Sequence, residues 1–184
     1  MFLKIIEEIR KCLDNNLYTA ALALSLTIPD ICGNIEYPEI SLSATKYKKW
    51  YREWIGKYEI SSESFDEGIP YESADVIYSL RCNMLHSGNI DIEKKCGIDN
   101  FELLTVPKNS CSYNTSCREI EWYSDDKDKK IICSRSLTIN VRVLCEKLCA
   151  AATKFYYDNQ EKFALENKFV DIDRRTRRIF LKKL

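Results

Sequence analysis

The amino-acid sequence predicts a mainly α protein with a small antiparallel β insert, and three observations carry that reading. Apolar residues recur every three or four positions near the N-terminus, over residues 43–58 and 71–86, and in a long run after 136. Between 99 and 136 the period changes to short β-branched and aromatic runs separated by turn signals. With 184 residues the chain can bury one good core and is short for two full-sized domains. Residues 1–184 are therefore expected to form one helical domain, with a β-rich insert at about 99–136 and a basic tail at 173–184.

Leu3, Ile5, Ile6, Ile9 and Leu13 fall at helical spacings with charges between them, which makes residues 2–14 an amphipathic first helix. "NNLYTAALALSLTI" follows, apolar nearly all round and opening on a candidate asparagine cap, as expected of a central buried helix. Pro29 and Gly33 are expected to interrupt the pattern, and "GNIEYPEI" reads as a helix end, a turn and an extended connection through Pro38. Ser43 is a candidate cap for the next helix, where Tyr47, Trp50, Tyr51 and Trp54 form an aromatic stripe beside Lys46, Lys48, Lys49 and Arg52. Such a stripe can stack on single-stranded bases. The commoner use, and the one expected here, is a seam against the core.

"SSESFDEGIP" is a polar linker, after which Val76, Ile77, Leu80, Met84 and Leu85 give a further helix its apolar stripe, with Gly88 placed to stop it. "NFELLTVP", "CREIEWYS" and "KKIICSRS" supply two or three strands. From Ser136 the helical period resumes, with Ser136 or Thr138 as the expected cap, in a long helix able to pack beside the second. The tail "DRRTRRIFLKKL" reads as a solvated face, and it is also the one local patch suited to a phosphate backbone.

Lysine plus arginine equals aspartate plus glutamate at 28 each, so no overall field draws the molecule to nucleic acid or to an anionic membrane. Any such binding has to be local. No run is apolar enough to span a bilayer, and Glu7, Glu8 and Arg10 stand where a signal peptide would be uninterrupted, so a soluble cytoplasmic protein is expected. Nine cysteines, an odd number, then imply reduced thiols. Zinc usually takes closely spaced cysteine pairs, and the chain contains no CxxC. Cys145 and Cys149, one helical turn apart, are expected as small core filler, and Cys111 with Cys117 falls in a polar loop. Neither a metal nor any other cofactor is expected, and no Gly-rich phosphate loop is present.

"SLRCNMLHSGN", residues 79–89, holds the only histidine of the chain. On an α-helix Arg81 and His86 are offset by roughly 140° and Asn83 and His86 by about 60°. For the arginine and histidine to serve one target, the helix must unwind near His86, as Ser87, Gly88 and Asn89 would permit, or two copies must face each other and share a cleft. His86 can exchange protons near neutral pH, Arg81 offers a planar fork to phosphate, and Asn83 can fix an oxygen without titrating. That set suits RNA cleavage in which the ribose 2′-hydroxyl attacks the adjacent phosphorus. In the structural alternative Arg81 pairs with Glu72 or Asp75 and His86 interacts with the helix C-terminus. Spacing alone favours the alternative.

The segment resembles the HEPN domain superfamily, whose signature is an arginine, four to six residues including a polar one near the arginine, and a histidine on a core helix. "RCNMLH" supplies Arg81, four residues and His86; Cys82 stands where the family usually has its polar residue, and Asn83 one place later. "VIYSLRCNMLHSGN" is similar to the family's helix end, and "ALALSLTIPDICGNIEYP" with "KYKKWYREWI" is similar to bacterial HEPN-like proteins. The resemblance covers residues 1–90 and, more loosely, the final helix. It implies an up-and-down helical bundle of HEPN type, usually a homodimer, with the motif helices lining a cleft. Many members are metal-independent endoribonucleases in toxin–antitoxin or defence systems and act through the arginine and histidine. The resemblance thus makes Arg81 and His86 the catalytic pair, with Asn83 as a positioning group, RNA as substrate and an antitoxin or other protein as partner. Other members are non-catalytic, so the alternative is a dimeric interaction module recruiting a protein partner.

Overall fold

Phe2, Ile6, Ile9 and Leu13 follow one another at spacings of four, three and four, and helix α1 (Phe2–Asp14) buries all of them along one face. The computed structural model describes residues 2–57, 72–87, 98–106, 116–123 and 130–165, with backbone only for 86–87, 116–123, 130–135 and 164–165. Asn16 takes a left-handed φ of 56°, the Leu17 N–H reaches Cys12 O at 2.8 Å and the Asn16 N–H reaches Leu13 O at 3.2 Å. This is the Schellman closure of α1. The asparagines therefore end the first helix and do not cap the second, since Leu17 holds the cap position of α2 (Tyr18–Ser25) with no side-chain bond. α2 buries Ala21, Leu22 and Ser25, while Thr19 and Ala20 in its first turn are exposed, so it is less enclosed than expected.

Pro29 and Gly33 do not interrupt the helical pattern. Both lie inside α3 (Ile28–Glu36), where Pro29 occupies the first turn, whose N–H groups have no intrahelical partner to lose. Gly33 is buried where α3 crosses α4 (Ser43–Tyr51), and a Cβ there would stand 2.8 Å from the Lys46 carbonyl oxygen. Only a glycine lets the two backbones approach that closely. Ser43 begins α4 without capping it, Leu42 being in the cap position. Tyr47, Trp50 and Tyr51 are fully buried, which makes the stripe a core seam and removes these three rings from base stacking. Trp54, half-buried, lies edge-on to Phe155 at 5.1 Å in a π-helical turn, Arg52–Gly56, that continues α4.

α5 (Ala74–Cys82) is capped by Ser73, whose Oγ accepts from the Val76 N–H at 3.3 Å. Val76, Ile77 and Leu80 are buried and Met84 packs against the core, while Leu85, expected in the stripe, is 37% exposed. A second π-helical turn, Asn83–Ser87, continues α5.

The insert is a sheet of order β1–β3–β2, from β1 (Asn100–Leu104), β2 (Ser116–Tyr123) and β3 (Lys130–Asn140). β1 pairs with β3 in parallel, Asn100 opposite Ser136 and Leu104 opposite Asn140, which corrects the expectation of a wholly antiparallel insert. A parallel pair needs a long crossover, and the chain that includes β2 lies between β1 and β3. β2 runs antiparallel to β3 with a register shift at Ile120 and Glu121. Because β3 continues through Ser136 and Thr138, neither caps the next helix. Asn140 does so, its Oδ1 accepting from the Val143 N–H at 3.2 Å.

α6 (Val141–Asp158) buries Leu144, Cys145, Leu148, Cys149, Ala152 and Phe155 and contacts α1, α2, α3 and the π turn after α4; the short α7 (Gln160–Leu165) returns toward α3. Burial pushes the Cys145 thiol up to about 12 and the Cys149 thiol to about 11, as suits neutral core filler. Buried Arg142 donates to Leu13 O at 2.7 Å and so satisfies a carbonyl at the end of α1. Among the described residues no helix is long and apolar enough to cross a membrane. The linker 61–70, Gly88, Cys111 and the basic tail lie outside the described residues.

Replacing Gly33 with alanine should lower stability by roughly 1–3 kcal/mol, because the new methyl meets backbone at the α3–α4 crossing. Urea denaturation of both proteins tests this. An unchanged midpoint would mean that the crossing yields without cost.

Candidate functional site

Arg81 ends α5 one turn after Tyr78, and its guanidinium reaches across to α3. Its Nε and Nη2 both donate to Asp30 Oδ2, each at 2.9 Å, and the two side chains are each 19% exposed. The partner is thus neither Glu72 nor Asp75. Asp75, six residues before Arg81, is offset by about 120° around the helix, and Glu72 lies before the helix begins. Those two carboxylates serve other helices. Glu72, 2% exposed, takes Lys147 of α6 at 3.0 Å, and Asp75 takes Lys48 of α4 at 2.7 Å and Arg52 of the π turn after it at 2.8 Å. Burial works against the Arg81 charge, the Asp30 carboxylate outweighs it, and the pKa is raised. The arginine stays cationic while only partly exposed to solvent.

Around the pair lie Tyr47, Tyr78 and Cys82. The Tyr47 and Tyr78 rings meet edge-on at 5.2 Å, and Tyr78, itself under Lys48 Nζ at 5.0 Å, is raised in pKa by burial and by its hydrogen bond with Cys82. Lys49 sits 4.1 Å over the Tyr37 ring. Lys48 and Arg52 are therefore engaged by Asp75, and Lys49 by the Tyr37 ring.

Asn83, half-buried, opens the π turn after α5, and the backbone of His86 lies within the turn; the His86 side chain is outside the described residues. In a turn closed by i→i+5 bonds each residue advances by less than the 100° of an α-helix. The offset between positions 81 and 86 accordingly falls below the roughly 140° of a straight helix. The helix departs from α geometry near His86, widening into a π turn from Asn83 to Ser87. Gly88 and Asn89 are outside the described residues.

Asp30 is the residue that sequence reasoning missed. Its signal was a lone acid within the apolar stretch "ALALSLTIPDICG", which a helix N-terminus also explains. Among the described residues no group of three His, Cys, Asp or Glu could hold a metal. A groove of about 370 Å³ between the π turn of α4 and α6, lined in part by Trp54, Lys57, Lys147 and Lys154, includes neither Arg81 nor Asn83. Comparison with protein-family models, with curated proteins and with solved structures finds no match.

The tie between α4 and α5 should be visible in acid. Hydrogen bonds from Lys48 and then Arg52 hold the Asp75 carboxyl below its ordinary value, burial opposing them, so its stabilisation is complete at neutral pH and is lost as pH falls through the folded pKa. The stability gap between the wild type and D75N should be constant above about pH 5 and close progressively below about pH 4. Thermal denaturation across this range measures it, and a gap indifferent to pH would show that the contacts carry no energy.

Proposed function

We propose that the chain is a metal-independent endoribonuclease of HEPN type that works as a homodimer, with Arg81 and His86 as its catalytic pair and Asn83 as a positioning group. The observation that supports this best is the π turn Asn83–Ser87, which reduces the angle between positions 81 and 86 at the end of α5. Single π turns inside α-helices are frequent at functional sites. In the reaction the ribose 2′-oxygen forms a bond to the adjacent phosphorus as its proton leaves, and the bond from phosphorus to the 5′-oxygen breaks as that oxygen gains a proton. The products are a 2′,3′-cyclic phosphate and a 5′-hydroxyl. His86 is assigned one of the two proton transfers and Arg81 the charge on the non-bridging oxygens. A role as a toxin or defence effector in the cytoplasm, restrained by an antitoxin or other protein partner, belongs to the same proposal.

The Arg81–Asp30 ion pair favours a second reading, a non-catalytic dimeric module in which the arginine joins α3 to α5. The two differ in what His86 is for. Purified protein incubated with total RNA in excess chelator should yield ends carrying a 2′,3′-cyclic phosphate, and His86→Ala should lower the rate by at least about a hundredfold while the protein stays folded and dimeric. Cleavage that the chelator abolishes, or that survives the substitution, would contradict the nuclease. No cleavage by either protein, with a partner retained by both, is the result expected of the module.

A further inference from the structure

Lys147, Ala150, Ala151 and Lys154 follow one another on α6 at spacings of three, one and three, so they stand on one face of the helix. That face is one wall of the groove of about 370 Å³, and the π turn after α4 supplies the other with Trp54 and Lys57. The Trp54 indole is held in place by stacking on Trp50 at 6.2 Å and by its edge contact with Phe155 at 5.1 Å. Ala150 is exposed and Ala151 half-buried, so the α6 wall is lowest at its middle, between the two lysines.

Charge and spacing together identify what fits. Among the described residues lining the groove, every ionisable one is a lysine. Lys147 bonds Glu72 at 3.0 Å and Lys154 bonds Asp158 at 2.7 Å, and neither carboxylate belongs to the lining. No lysine has to be free for a further acid to bind. An ammonium has three donors, and the Lys154–Asp158 pair, at 66% and 45% exposure, is of the surface kind that exchanges at little cost. The two α6 lysines are seven residues apart, which is about 10 Å along the helix. A small monocarboxylate reaches only one of them. A second helix lying along α6 has the same rise per residue, so acids at its positions i and i+7 meet both lysines. Its residues i+3 and i+4 then stand over Ala150 and Ala151, against Trp54, where large apolar side chains fill the dip.

We propose that this groove docks an acidic amphipathic helix of a protein partner, with the pattern Glu-x-x-Leu-Leu-x-x-Glu or its equivalent on the docked face. The nuclease and the interaction module both call for a protein partner, and the groove shares no residue with the Arg81–Asp30 pair. The docking site and the nuclease can therefore fail separately.

The probe is a stapled, fluorescein-labelled helix of about 16 residues that carries this pattern on an alanine background. Anisotropy titration should give a Kd below about 100 μM for the wild type. Lys154→Glu and Ala150→Trp, both at exposed positions, should each weaken binding at least about tenfold while melting as the wild type does, and a peptide with lysines in place of its two glutamates should not bind. Absence of binding by the wild type, an unchanged affinity in A150W, or equal binding of the lysine peptide would overturn the proposal. So would phenylacetate binding as tightly as the peptide, which would assign the groove to a small anion. Binding that emerges only when residues 58–71, with Glu59, Glu63, Asp66 and Glu67, are replaced by a Gly–Ser linker would assign it to the chain itself and overturn the partner.

Discussion

The ion pair between Asp30 and Arg81 joins residues 51 positions apart and fastens α3 to α5 around the aromatic face of α4. Most of what surrounds it follows from letting those two side chains meet. The α3–α4 crossing has to be close, which only Gly33 allows, and that closeness sets Tyr47 against both flanking helices. The pair is neither a surface contact nor a deeply enclosed one. At 19% exposure it escapes much of the screening that weakens surface pairs, while avoiding the full desolvation cost of a buried one. An arginine held in this way loses little conformational freedom when it meets a ligand, and it must also be drawn away from a good partner.

The remainder of the bundle is fastened by other means. Trp50, Trp54 and Phe155 lock α4 to α6 through edge contacts, and the neutral thiols of Cys145 and Cys149 fill the small spaces beneath α6. Arg142 is used inside the fold, closing the end of α1, while Tyr18 bonds to Val106 at 2.8 Å and ties α2 to the chain just after β1. Equal numbers of acidic and basic residues leave the whole chain with no net charge.

How much could be read in advance depended on the range of the interaction concerned. Helices α1, α4, α5 and α6 were legible because their apolar spacing is local and each buries most of the stripe read for it, Leu3 and Leu85 staying exposed. Pro29 and Gly33 were misread as breaks because their roles, a first-turn proline and a point of backbone contact with Lys46, depend on where the helix begins and on what crosses it. The caps moved for a similar reason. Asn16 closes one helix instead of opening another, and β3 overruns Ser136 and Thr138 because its pairing with β1 extends to Asn140. Of the candidate site, Arg81 and His86 were named from the sequence and the partner of Arg81, Asp30, was not, since a partner 51 residues away leaves no periodic trace. The π turn was equally hidden, as a shift of hydrogen bonding by one residue changes no composition.

The account stands on the Asp30–Arg81 contact being an energetic tie as well as a geometric one. A double-mutant cycle on Asp30→Asn and Arg81→Met, measured by urea denaturation at neutral pH, isolates that coupling most directly. A half-buried, doubly hydrogen-bonded pair should give on the order of 1–2 kcal/mol, between the values of exposed and enclosed pairs. Additive losses, with a coupling below about 0.3 kcal/mol, would show that α3 and α5 do not depend on each other and would contradict the account at its base.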